Sequence, residues 1–166
     1  MSLEVLIITG ACGVGKTATA KAWAKKKNGA IIECDYLTEW IYNENFPHWT
    51  PEEEAFTVEL SGLMAFEYLK RGMSLAIENV WTPKGIEDLR KELFRMNGIT
   101  VKTVWLKCDL EENHRRDEER IPEDQMKERV DIVNKELEGY TWPSYVHSID
   151  TTKLSIEEVV EEIDKL

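Results

Sequence analysis

Gly10-Ala11-Cys12-Gly13-Val14-Gly15-Lys16-Thr17 has the spacing G-x-x-x-x-G-K-[ST], which fits a loop that wraps a chain of phosphates. Its glycines let the backbone turn tightly and aim N–H groups inward, where a Cβ would block an anion. Lys16 reaches for the outer phosphates, and the Thr17 hydroxyl is a candidate ligand for Mg²⁺. Ala18 continues the opening turn of a helix, whose dipole adds to the same site. Gly10, Ala11, Cys12, Gly13, Val14, Gly15, Lys16, Thr17 and Ala18 are therefore the candidate nucleotide-binding residues, with a nucleoside triphosphate and Mg²⁺ as the implied ligands. Cys12 sits beside Lys16 and a helix start, a setting that suits a reactive thiol, but a small residue at a variable loop position accounts for it as well.

Such a loop needs a strand before it and a helix after it. Leu3 to Thr9 reads as a buried strand, and Ala18 to Ala24 as a helix. Further apolar runs alternate with helical patterns: Ala30 to Cys34 ending at Asp35, Ser74 to Glu78, Thr100 to Leu106 and Val146 to Ile149. Thr50-Pro51-Glu52-Glu53 opens a helix with an N-cap, a proline in the first turn and a capping-box glutamate. Thr82-Pro83 and Ser155-Ile156-Glu157-Glu158 open two more, and Asp109 is expected to cap another. The pattern predicts one α/β domain over residues 1–166, a parallel sheet covered by helices on both faces.

With 166 residues, 42% hydrophobic and 32% charged, the chain has enough apolar material for one core. A net charge of −11 argues against general nucleic-acid binding. Cys12, Cys34 and Cys108 have neither metal spacing nor the number for a disulfide framework, so reduced thiols in a cytoplasm are expected. No run is long enough to span a bilayer, and Leu3 to Thr9 is too short for a signal peptide.

Three pieces besides the loop carry a family likeness: Glu33-Cys34-Asp35, Trp105 to Asp109 followed by Arg116 and Arg120, and Ile149 to Val160. With them the chain resembles the small phosphate-loop kinases, the shikimate- and gluconate-kinase-like group and related antibiotic phosphotransferases, including tunicamycin-resistance-type proteins. The resemblance implies a P-loop NTPase fold with a five-stranded parallel sheet in order 2-3-1-4-5. It places acceptor binding in a helical region at about 36–72 and a lid at about 115–130. Asp35 becomes the candidate that orients or deprotonates an acceptor hydroxyl, against the alternative that it caps a helix starting at Tyr36. Glu33 is expected on the same face as Asp35 by strand alternation. Glu78 takes the place where many relatives carry a Mg²⁺-supporting Asp. Arg116 is implied beside the adenine and Arg120 on the transferring phosphates, with Arg129 at the lid exit and Arg115 on the surface. Trp40, Tyr42, Phe46, Trp49 and Trp81 either line an acceptor pocket or form the core of the helical region.

The leading expectation is an ATP-dependent kinase acting on a small-molecule hydroxyl, monomeric, with a dimer left open. A nucleotide-gated regulatory ATPase and a nucleotide monophosphate kinase are the alternatives. Residues Asp35 to Leu69 contain no Lys or Arg, which favours a neutral acceptor over one bearing a phosphate. GTPase switching is disfavoured because Asn134-Lys135-Glu136-Leu137 lacks the Asp of N-K-x-D.

Overall fold

Val5, Leu6, Ile7 and Ile8 have no solvent exposure at all, so the strand they form must be buried on both faces. The computed structural model, which describes residues 2–166, places that strand, β1 (Leu3–Gly10), in the middle of a sheet. Its flanking strands are β2 (Ala30–Glu33), β3 (Leu75–Glu78), β4 (Ile99–Lys107) and β5 (Val146–Asp150). The order is β2-β3-β1-β4-β5, with every neighbouring pair parallel. Parallel strands need crossovers, and these are α1 (Lys16–Lys26), α2 (Asp35–Glu39), α3 (Pro51–Lys70), α4 (Pro83–Leu93), α5 (Leu110–Glu118) and α6 (Glu128–Gly139). The last helix, α7 (Ile156–Asp164), closes the chain.

Alternation along β1 divides the core. Leu6 and Ile8 face Trp23 of α1, Val133 and Leu137 of α6, and Val159, Val160 and Ile163 of α7. Val5 and Ile7 face Val58, Ala65 and Leu69 of α3 and Ile86, Leu89 and Leu93 of α4. Each of the four β1 side chains contributes roughly 1.5–3 kcal/mol by burial. Both faces of the sheet are thus covered, as the apolar strands predict.

Local signals set the helix starts. Ser155 and Glu158 form the reciprocal capping box. Thr50 caps α3 by accepting from the Glu53 N–H, but the Glu53 carboxylate accepts from the Trp49 N–H instead of completing the box. Thr82 caps α4, and Glu54 of α3 accepts from both the Thr82 N–H (2.8 Å) and its hydroxyl (2.7 Å), locking the two helices together.

Asp109 stands at the N-cap of α5 without a side-chain cap bond, so position and chemistry part company there. The second strand stops at Glu33 because the chain turns helical directly after Cys34. Strand alternation therefore does not reach Asp35, and Glu33 points elsewhere, to Lys21 at 2.7 Å. The expected helical region holds only α2 and α3; residues 40–50 between them form neither helix nor strand.

Candidate active site

The carboxyl ends of β1, β2 and β3 deliver the phosphate loop, Asp35 and Glu78 to one cleft of about 1230 Å³. Gly13 (φ 83°) and Gly15 (φ 98°) adopt the left-handed backbone that the loop requires, and Gly15 is also the N-cap of α1. Cys12, Gly13, Gly15, Lys16, Thr17 and Ala18 line the cleft. Gly10, Ala11 and Val14 do not: Ala11 and Val14 are buried in the core, and a Cβ on Gly10 would lie 2.5 Å from the Leu106 carbonyl oxygen. Those three residues anchor the loop from behind.

Lys16 crosses the loop, its Nζ donating to the Ala11 carbonyl at 3.0 Å. Thr17 Oγ1 donates to Glu78 Oε1 at 2.8 Å, bringing together the two expected metal residues. Glu78 is 3% exposed. Burial raises its pKa above the ordinary carboxylate value, against the opposing pull of Lys16 and the Thr17 hydrogen bond; Asp35 and Glu33 add like-charge repulsion. An oxygen-only pair, one hydroxyl and one carboxylate, suits a hard divalent cation that completes its shell with phosphate oxygens and water. Among the described residues no three His, Cys, Asp or Glu side chains are gathered for a metal, so the protein's own donor set is small.

Asp35 is the first residue of α2, whose N-cap is Cys34 and carries no side-chain cap bond. Its exposed carboxylate lines the cleft. It is not a side-chain cap, which removes the simplest structural reason for an aspartate there.

On the other wall, Arg116 is fixed by three bonds: Nε to Glu112 (2.7 Å), Nη1 to the Thr151 hydroxyl (3.0 Å) and Nη2 to the Thr151 carbonyl (2.8 Å). Thr151 in turn donates to the Val14 carbonyl at 3.2 Å, tying the loop after β5 to the phosphate loop. Arg120 lies 3.6 Å from Asp117 and also lines the cleft. Arg115 is turned outward, paired with Glu112 and Glu119.

The aromatic residues do not act as one group. Trp81 is fully buried in the core, while Trp40, Tyr42 and Trp49 are 69%, 88% and 77% exposed. Phe46 packs on Phe56 and His48. Trp49 lines the cleft, with the Arg129 guanidinium 3.9 Å from its ring centroid, so this stack joins the segment before α3 to α6. Cys34 has its thiol pushed up by burial, which leaves it unreactive.

Asn113, Asp117 and Glu54 were not legible as site residues. The signal for the first two was present: positions 113, 116, 117 and 120 follow helical spacing, placing an amide, a carboxylate and two guanidiniums on one face.

The sheet order and the glycine-rich loop between β1 and α1 define a P-loop fold. Residues 5–140 match the sequence model of the family described as an AAA domain, and the chain belongs to that family. An L-seryl-tRNA(Sec) kinase of Methanococcus maripaludis is 26% identical over 167 residues, covering 96% of this chain; the chain spans 64% of that curated relative. Among solved structures, a sugar kinase from a Janibacter species superposes with a TM-score of 0.72 at 17% identity, covering 98% of this chain and 92% of that one. The tunicamycin resistance protein of Deinococcus radiodurans superposes with a TM-score of 0.65 at 20% identity, covering 98% and 94%. At these identities the structural likeness is one of fold. Among the described residues no helix is long and apolar enough to cross a membrane.

Proposed function

We propose that the chain is an ATP- and Mg²⁺-dependent phosphotransferase whose acceptor is a hydroxyl on a small molecule without a phosphate of its own. The observation that carries this reading is the convergence of Lys16, the Thr17–Glu78 pair and the uncapped Asp35 carboxylate in one cleft. Phosphoryl transfer asks for positioning and charge neutralisation, and these residues supply both.

In this reading the loop N–H groups and Lys16 hold the β- and γ-phosphates. Thr17 and Glu78 hold Mg²⁺, directly or through water, and the bound cation supplies charge neutralisation on the phosphate chain. Arg116, already braced against Thr151, forms a flat wall beside the base. Asp35 accepts a hydrogen bond from the acceptor hydroxyl and takes its proton as the oxygen attacks the γ-phosphorus, while the bond from that phosphorus to the β–γ bridging oxygen breaks and ADP leaves with the electron pair. Arg120 swings from Asp117 to the transferring group, neutralising charge where it develops.

Residues Asp35 to Leu69 contain no Lys or Arg, and of the cations from elsewhere that line the cleft near them, Lys84 is paired with Asp88 and Arg129 is stacked on Trp49, which supports an acceptor without a phosphate of its own. A relative named for an L-seryl-tRNA acceptor supports a hydroxyl as the attacking group. The test is ADP release from ATP–Mg²⁺ across a panel of sugars, shikimate-type acids, nucleosides, hydroxyl-bearing antibiotics and serylated tRNA. Acceptor-dependent ADP release with a neutral small molecule supports the proposal. Turnover with serylated tRNA alone would replace the acceptor class and leave the transfer chemistry standing.

A further inference from the structure

Helix α5 has only two buried residues, Asn113 and Asp117, and both are polar. Burying an amide is costly unless each end finds a partner. Asn113 is completely buried, and both of its ends are satisfied. Its Nδ2 donates to the Cys12 carbonyl at 2.5 Å, and its Oδ1 accepts from Asn134 Nδ2 at 2.8 Å. The same Asn134 nitrogen donates to the Val130 carbonyl within α6 at 2.9 Å. A carbonyl accepts only, so the Asn113 amide has to present its nitrogen to the loop and its oxygen to α6. The two bonds fix one orientation.

Gly13 completes the fit. A Cβ there would lie 2.6 Å from Asn113 Nδ2, so the amide fills the space a side chain would take.

We propose that Asn113 is a positioning residue for the phosphate loop. It holds the Cys12 carbonyl against α5. Because the peptide is planar and trans, the Gly13 N–H then points the opposite way, toward the phosphates. Asn134 extends the same chain of bonds to α6, the helix that follows the lid segment, so loop geometry and lid attachment share one buried amide. Asp117 does the neighbouring job on the lid itself: its carboxylate accepts from the Met126 N–H (2.9 and 3.0 Å) and the Lys127 N–H (2.8 Å). Burial pushes its pKa up, but those two N–H groups and the Arg120 guanidinium together hold it below the ordinary value.

This inference rests on the nucleotide site proposed above, and a phosphate-only probe separates the two. Mg²⁺–pyrophosphate and ATP–Mg²⁺ are titrated calorimetrically into wild type, Asn113→Leu, Asn134→Leu and Lys16→Ala, with thermal unfolding recorded for each. Asn113→Leu keeps the volume and removes both bonds. It is expected to weaken both probes by the same factor, about tenfold. A loss confined to general packing would lower the unfolding midpoint without an equal fall for the two probes. Asn134→Leu leaves Asn113 in place but frees its amide, with an expected loss of about threefold for pyrophosphate; it carries the test if Asn113→Leu does not fold. Folded Asn variants that bind pyrophosphate within twofold of wild type, while Lys16→Ala loses it, would overturn the role of Asn113 alone. Wild-type pyrophosphate binding in Lys16→Ala would overturn the phosphate-loop reading beneath it.

Discussion

Thr17 Oγ1 donates a 2.8 Å hydrogen bond to Glu78 Oε1, joining the first turn of α1 to the end of β3 across 61 positions of sequence. The bond keeps the carboxylate pointed at the phosphate loop although burial favours its protonated form. A buried carboxylate held at such a cost is a candidate for ligand binding, the role proposed for it above.

The sign of that cost is testable through pH. Glu78 has a folded-state pKa above its unfolded value of 4.5, so the folded chain binds the proton more tightly. Its contribution to stability is therefore greatest at acid pH and is lost as pH rises from the unfolded value through the folded one. Glu78→Gln should raise the thermal midpoint at neutral pH without ligand and remove the response to added ATP–Mg²⁺. A lower midpoint together with a retained ATP–Mg²⁺ shift would contradict both halves.

The two lid arginines should separate in kinetics. Arg120→Ala is expected to lower kcat about 100-fold while ATP affinity changes by no more than about threefold, since its contact forms as charge develops. Arg116 is already braced by Thr151 and Glu112, so Arg116→Ala should weaken ATP binding instead. Steady-state kinetics on both variants would reveal exchanged roles as the opposite pattern.

Asp35→Asn distinguishes a proton acceptor from a local structural residue. The side chain makes no cap bond, so the substitution should leave the unfolding midpoint nearly unchanged. Transfer to the acceptor found by the panel should fall on the order of 100-fold or more, with ATP affinity retained. Full transfer in the variant would remove Asp35 from the chemistry and direct attention to Glu78.

Beneath the site, the buried Thr9 hydroxyl accepts from the Trp81 N–H (2.9 Å) and donates to the Trp81 carbonyl (3.0 Å). Thr9→Val keeps the shape and strands both backbone groups, so it should cost about 2–4 kcal/mol of unfolding free energy. Denaturant unfolding within about 0.5 kcal/mol of wild type would show that the backbone finds other partners.

What could be read from sequence was local. The turn at Gly13 and Gly15, the Thr82 cap and the Ser155–Glu158 box act within a few positions, and each forms where the pattern puts it. The sheet order came with the family likeness, while the division of the β1 side chains between the two layers emerged only from the structure. Alternation failed at Asp35 because the chain becomes helical one residue sooner than the apolar run suggested. The aromatic residues from Trp40 to Trp49 could not be placed, since their exposure depends on a segment without regular structure. Helical spacing put Asn113 on the face of Arg116 and Arg120, but its partner Cys12 lies 101 positions away, and only the assembled fold joins the two.

The central claim is that Gly10 to Thr17 binds the phosphates of ATP, and calorimetric titration of ATP–Mg²⁺ into wild type and Lys16→Ala tests it most directly. The account predicts one site per chain in wild type and a loss of about 100-fold in affinity in the variant, with the unfolding midpoint preserved because, among the described residues, the Lys16 side chain makes only one hydrogen bond, to the Ala11 carbonyl. Equal affinity in the two folded proteins would contradict it.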